Sequence, residues 1–210
     1  MGVGNWYEEH VVPRLIRCAC SGPAIMKLRE KVVPLARGAV FELGCGGGLN
    51  QRFYDPARIS SYAGVDPSAK GLDFARVEAE RKGWSHDMRP GTGEDIPFAA
   101  ASFDTVVCTF TLCSVQDPAR TLQEIYRVLK PGGQLLFAEH GAAPDARVAR
   151  WQARIEPVWK RIAGGCHLTR PVGASIGDGG FALEPLGSQY APKVPQFAGW
   201  MEWGIAKKAG

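Results

Sequence analysis

No apolar run in this chain is long enough to cross a bilayer. The longest nearly uncharged stretch, Thr105 to Val115, is about half of the ~20 residues a spanning helix needs. C-x-x-C spacing is missing among Cys18, Cys20, Cys45, Cys108, Cys113 and Cys166. Neither a zinc site nor a disulfide framework is therefore expected, and a reducing cytoplasm is the expected compartment. A secretory signal is also missing: the N-terminus carries Glu8, Glu9 and Arg14 and no apolar core. Charge of one sign is in little excess, with 25 Lys and Arg against 21 Asp and Glu and a net charge of +4. That gives no ground to expect a nucleic-acid partner. Internal repeats, low-complexity tracts and a Gly-X-Y period are absent despite 26 glycines and 15 prolines. What remains is a chain with 45% hydrophobic and 22% charged residues over 210 positions, the profile of one packed domain.

Residues 5–36 carry apolar positions at helical spacing: Trp6, Val11, Val12, Leu15 and Ile16, then Ile25, Leu28, Val32 and Leu35. Gly22-Pro23 separates the two stretches. From Ala39 the pattern changes. Val40 to Leu43, Tyr62 to Val65, Phe103 to Thr109 and Gln134 to Glu139 read as strands. The third is continuously apolar, as expected of a strand buried on both faces. Helices are predicted from Ala69 to Lys82, and from Asp117-Pro118 to a stop at Lys130-Pro131-Gly132-Gly133. A further helix over 144–163 and strands near 182–190 and 197–207 complete the reading. Alternating strands and helices predict an α/β fold, a doubly wound, mostly parallel sheet with helices on both faces. One domain is expected over 1–210, with a helical cap (1–37), a core (38–140) and an acceptor-side region (141–210).

Glu42-Leu43-Gly44-Cys45-Gly46-Gly47-Gly48 closes the first strand. Glycines there let the backbone turn tightly and approach a ligand. A dinucleotide fingerprint needs Gly where Leu49 stands, and the phosphate-binding lysine is missing. Asp66 ends the second strand, 22 residues after Gly44, where a carboxylate can accept both ribose hydroxyls of a nucleoside. A ribose grip without a pyrophosphate fingerprint favours S-adenosylmethionine over a nicotinamide dinucleotide.

The same residues resemble a known family. Glu42 to Gly48, Gly64-Val65-Asp66-Pro67-Ser68, Ile96-Pro97-Phe98, Ser102-Phe103-Asp104 and Leu129 to Gly133 are similar, in order, to the motifs of class I S-adenosylmethionine-dependent methyltransferases. The resemblance implies a seven-stranded Rossmann-like sheet and S-adenosyl-L-methionine as cofactor. It also implies a cofactor site. Gly44, Gly46 and Gly48 would pass under the methionine moiety, Glu42 would belong to the same cofactor site, and Asp66 would hold the ribose. Pro67 and Ser68 would flank the adenine, Gly93, Glu94 and Asp95 would lie at its edge, and Thr109, Thr111 and Leu112 would line the sulfonium.

A narrower resemblance runs through Cys108 to Val115, Glu139-His140, Glu156 to Lys160 and Gly165 to Arg170. These are similar to the thiol S-methyltransferases of animal membranes, which carry an N-terminal anchor not read in this chain. It implies a small-molecule acceptor, with a thiol, which needs its thiolate, among the candidates. His140, at the end of a strand, is the candidate catalytic residue, as general base or orienter. Tyr7, His167 and Arg170 are candidates for substrate contact, His10 shares the segment of Tyr7, and no metal ligand is expected. Quinone C-methylation, phospholipid N-methylation and a non-catalytic cofactor-binding module stay open beside the thiol reading.

Overall fold

A computed structural model describes residues 20–210. Its seven strands are β1 (Gly38–Leu43), β2 (Ile59–Asp66), β3 (His86–Pro90), β4 (Phe103–Thr109), β5 (Leu129–His140), β6 (Ala182–Tyr190) and β7 (Trp200–Lys207). They form one sheet in the order β3-β2-β1-β4-β5-β7-β6. Strands β1 to β5 pair in parallel, and β7 lies antiparallel between β5 and β6. The helices are α1 (Pro23–Val32), α2 (Ala69–Arg81), α3 (Pro118–Val128), α4 (Ala146–Ile162), α5 (Val172–Asp178) and the single turn α6 (Gln196–Gly199).

Consecutive strand residues point to opposite faces, so each central strand feeds two apolar layers. Val40, Val107 and Leu136 pack with Leu28 and Val32 of α1 and Leu72, Ala75 and Ala79 of α2. Phe41, Val106 and Leu135 pack with Leu122, Ile125 and Val128 of α3 and Val172 and Ile176 of α5. This is why Phe103 to Thr109 shows no polar alternation: both faces are covered. Helix α3 starts where an acidic cap meets proline, the Asp117 carboxylate accepting the Arg120 N–H at 3.0 Å.

Three features depart from the sequence-based reading. Strand β3 was not expected, because His86, Asp87, Arg89 and Pro90 place only Met88 in the interior; it is an edge strand paired to β2. Strand β5 begins at Leu129 rather than Gln134, since Leu129 pairs with Phe103 across a register shift that absorbs the Pro-Gly-Gly turn. The glycine-rich 173–180 stretch contributes a short helix, α5, because Val172 and Ile176 reach the α3 layer. Tyr7 and His10 lie outside the described residues.

The sheet changes direction of growth between β1 and β4. A switch point of this kind leaves a crevice outside the carboxyl ends of the two strands, and the residues below gather there.

Candidate active site

The loop after β1 is shaped by two close approaches. Gly44 has φ +73° and donates its N–H to the Val65 carbonyl at 2.9 Å; a Cβ there would also land on the Thr111 hydroxyl. Any Cβ on Gly46 would land on the Asp66 carboxylate. Asp66 is pinned by that contact. Its Oδ2 accepts the Gly46 N–H at 2.9 Å and its Oδ1 accepts the Ser68 N–H at 2.8 Å. Burial holds its carboxyl above the usual value, opposed by these two N–H donors. Each oxygen keeps acceptor capacity for another donor. Ser68 caps α2 by accepting the Gly71 N–H, and Pro67 beside it is exposed.

Glu42 faces inward from β1 and is 2% exposed. Oε1 accepts the Asn50 amide at 3.0 Å, and Oε2 accepts the Tyr54 and Tyr62 hydroxyls at 2.7 and 2.8 Å. Asn50 in turn accepts Arg29 Nη1 at 2.7 Å and donates to Thr109 Oγ1 at 2.9 Å; Arg29 also donates to that Thr109 oxygen. Arg29 is 5% exposed and stands over the Phe110 ring at 5.0 Å. Thus Glu42 and Thr109 are engaged inside a buried network that locks the base of the glycine loop to α1. In the sequence, Arg29, Asn50 and Tyr54 read only as ordinary helix or loop residues and Tyr62 only as a strand residue.

The crossover after β4 is held by the next strand. Glu139 is fully buried. Its carboxylate accepts the N–H groups of Thr111 at 2.8 Å, Leu112 at 3.0 Å and Cys113 at 3.3 Å. Burial pushes the carboxyl up to about 7 against those three donors. Arg170 closes the same segment from above, donating from Nη1 to the Leu112 carbonyl at 2.6 Å. His167 donates its backbone N–H to the Cys113 carbonyl at 2.8 Å, while its ring meets Glu156 of α4 at 3.1 Å. Glu156 also accepts the Thr169 N–H and hydroxyl at 2.8 and 2.7 Å. The 163–171 segment is therefore fixed to both α4 and the β4 crossover, with the His167 ring turned to Glu156.

His140 ends β5, 5% exposed. Its Nδ1 lies 3.4 Å from Cys166 Sγ, and its Nε2 is buried with no hydrogen-bond partner. Cys113, His140 and Cys166 bring one ligand atom each within 4.8 Å of one another. Cys113 donation holds the Cys166 thiol well below the ordinary range against the burial that raises it, with His140 assisting. The reciprocal bond and burial push the Cys113 thiol up. No short-range spacing marks this trio: the three residues follow β4, end β5 and follow α4.

On the far side, Glu94 accepts the N–H groups of Gln116 and Asp117 at 2.8 and 3.1 Å, tying its loop to the start of α3. A Cβ on Gly93 would meet Thr121 of α3 at 2.7 Å. Asp95 is exposed and bridges to Thr92. Glu94 thus serves this loop through its backbone links, and Asp95 faces outward beside it.

The chain is similar to known proteins over this same crevice. Residues 41–137 match the family described as Methyltransferase domain. The thiol S-methyltransferase TMT1B of Rattus norvegicus is 41% identical over 157 residues, 73% of this chain and 64% of that protein. Its Homo sapiens counterpart is 44% identical over 137 residues, 63% of this chain and 55% of that protein. The chain thus spans less than two thirds of these relatives' length. A crystal structure of a SAM-dependent methyltransferase from Aquifex aeolicus superposes with a TM-score of 0.63 at 16% identity, over 93% of this chain and 97% of that one; it shows the shared fold. The motif order and the seven-stranded sheet agree with these matches: residues 41–137 carry the match to a methyltransferase domain, on the Rossmann-like fold that the solved structure shares.

Proposed function

We propose that this chain transfers a methyl group from S-adenosylmethionine to a small-molecule thiol. The observation that carries the cofactor half is the Asp66 carboxylate, held by the Gly46 and Ser68 N–H groups beside a loop that tolerates no side chain at Gly44 or Gly46. That donor set fits a nucleoside: a carboxylate for the ribose hydroxyls and bare backbone for a close approach. Gly44, Gly46 and Gly48 would pass under the methionine moiety, Asp66 would take the ribose, and Ser68, Gly93, Glu94 and Asp95 would border the adenine. Glu42 and Thr109 hold this cradle from below, while Thr111 and Leu112 form the wall toward the acceptor. When bound, S-adenosylmethionine supplies a methyl on a positive sulfonium, open to in-line displacement by an acceptor lone pair.

The acceptor half rests on the sulfur- and nitrogen-rich end of β5 and the similarity to thiol S-methyltransferases. A thiol reacts as its thiolate. His140, buried at the strand end with a free ring nitrogen, can take that proton, and the Arg170 guanidinium beside the crossover favours the anion. His167 orders the covering segment through Glu156. Residues 1–210 would act as one unit, the part after 141 shaping the acceptor side. The five described cysteines are unpaired, which supports a reducing compartment; among the described residues no helix is long and apolar enough to cross a membrane. A panel of thiols, phenols, amines, quinols and nucleic acids with methyl-labelled cofactor tests the reading. Label is expected on thiols; label only on another class overturns the acceptor.

A further inference from the structure

We infer that Cys113, His140 and Cys166 form a three-ligand site for a zinc-class divalent cation, with its fourth position open to the acceptor thiol. The inference deepens the proposed thiol methylation and rests on it for the role of the fourth position, while the metal site itself rests on geometry. Tetrahedral zinc bonds of about 2.3 Å to sulfur and about 2.0 Å to nitrogen place ligand atoms roughly 3.6–3.8 Å apart. Here Cys166 Sγ and His140 Nδ1 are 3.4 Å apart, and all three ligand atoms fall within 4.8 Å. Closing onto a metal therefore needs side-chain shifts of less than the length of a bond.

The imidazole of His140 is 5% exposed, and Nδ1 is the ring nitrogen that meets Cys166 Sγ. The ligand chemistry is selective: two thiolates and an imidazole suit zinc over the hard cations that prefer oxygen. Two thiolates also cancel the charge of a divalent ion, which limits the cost of burying it. Among the described residues no fourth His, Cys, Asp or Glu joins the cluster. Three protein ligands and an open position are the arrangement of reactive zinc sites, whereas structural sites close with four. Cys113 is anchored through its N–H to Glu139 and through its carbonyl to His167, so the first ligand is preset; Cys166 sits on the segment covering the crossover and completes the site.

Such a site answers the main demand of the proposed reaction. With His140 committed to the metal as a ligand and no longer the base, a thiol that coordinates the ion releases its proton to solvent and stays a thiolate at neutral pH. Its sulfur then supplies the electron pair for the new S–CH3 bond, the methyl–sulfonium bond breaks, and that pair remains on the departing S-adenosylhomocysteine sulfur. Anion and cation are consumed together and two neutral thioethers result, with no oxidant or reductant required.

The test uses the full chain stripped of metal. Titration with Zn2+ against a chromophoric chelator is expected to show one equivalent bound. Co2+ in its place should give the visible bands of a tetrahedral ion with thiolate-to-metal charge transfer, and a small alkanethiol should shift them. Cys113→Ser, His140→Ala and Cys166→Ser should each weaken Zn2+ binding by at least about 100-fold. Cys166→Ala, at the least buried position of the three, carries the comparison if Cys113→Ser does not fold. Thermal shift with S-adenosylhomocysteine on the same proteins reports folding and the cofactor site separately. Zn2+ binding no stronger than that of the triple variant overturns the metal site, even with the cofactor shift intact. Zn2+ binding with no cofactor shift overturns the proposed function and leaves the site standing. Cobalt bands that ignore added thiol overturn the fourth-position role.

Discussion

The Asp66 carboxylate and the Gly46 N–H are joined at 2.9 Å, with no room for a side chain between them. The glycine loop and the acid proposed to read the ribose are thus one unit rather than two neighbours. Asp66→Ala is expected to remove the hydrogen-bond acceptor and unpin the loop, weakening S-adenosylhomocysteine binding by roughly 100-fold or more, which is about 2.7 kcal/mol. Asp66→Asn, which keeps the shape but turns one acceptor into a donor, should fall between. Isothermal titration of the three proteins decides it; equal affinities would remove Asp66 from the site.

Glu42 should matter to the fold before it matters to the ligand. Its two oxygens accept three side-chain hydrogen bonds in the interior. Glu42→Leu leaves two tyrosine hydroxyls and one N–H of the Asn50 amide without their acceptor, with an expected cost of about 3 kcal/mol or more, whereas Tyr54→Phe removes one donor and should cost about 1 kcal/mol. Urea unfolding midpoints compare the two, and the larger loss is expected at Glu42.

Arg170 is expected to separate acceptor from cofactor effects. It donates to the Leu112 carbonyl and faces Cys113 and Cys166. Arg170→Ala should lower kcat/KM for a thiol acceptor about tenfold or more while cofactor affinity changes little. Arg170→Lys should recover only part, since an ammonium lacks the planar fork. A matching loss of cofactor affinity would place Arg170 on the other side of the wall.

Acid stability should carry the signature of Glu124. The Arg127 guanidinium beside it holds its carboxyl below the usual range against burial, with the Ile96 N–H and Arg120 assisting. Asp95 is the remaining charge that faces Arg127. A depressed folded value means the contribution is present above the unfolded value of about 4.3 and disappears as pH falls through the lower folded value. Glu124→Gln should therefore narrow the difference in urea midpoint between neutral and acid solution. An unchanged difference would assign the acid limb to other carboxylates.

The parts of the molecule that were legible in the sequence are those written locally. Val40 to Gly48 announces a strand running into a tight turn within nine positions, and Asp66 follows at the end of the next strand, so the glycine loop and its carboxylate could be read one residue after another. Asp117-Pro118 marked the start of α3 for the same reason. Strand β3 was not legible, because an edge strand needs only one apolar residue, Met88, and takes its hydrogen bonds from β2. The Arg29–Asn50–Glu42 network was hidden because its partners sit on α1, the loop and β1 and meet only when α1 docks. Cys113, His140 and Cys166 were hidden likewise: lacking any C-x-x-C spacing, they predicted no metal ligand set, yet three chain segments bring them together.

Glu139 grips the main chain at three consecutive positions and touches none of the side chains of Thr111 or Leu112 through those bonds. In the proposed reading, the partition between the cofactor crevice and the acceptor side is a backbone frame, further fixed by Leu112 in the core and by the Thr111 hydroxyl on the Leu43 and Thr109 carbonyls. On that reading a change of acceptor preference would fall on the 163–171 segment, whereas a change at Glu139 would disturb the frame beneath every acceptor at once.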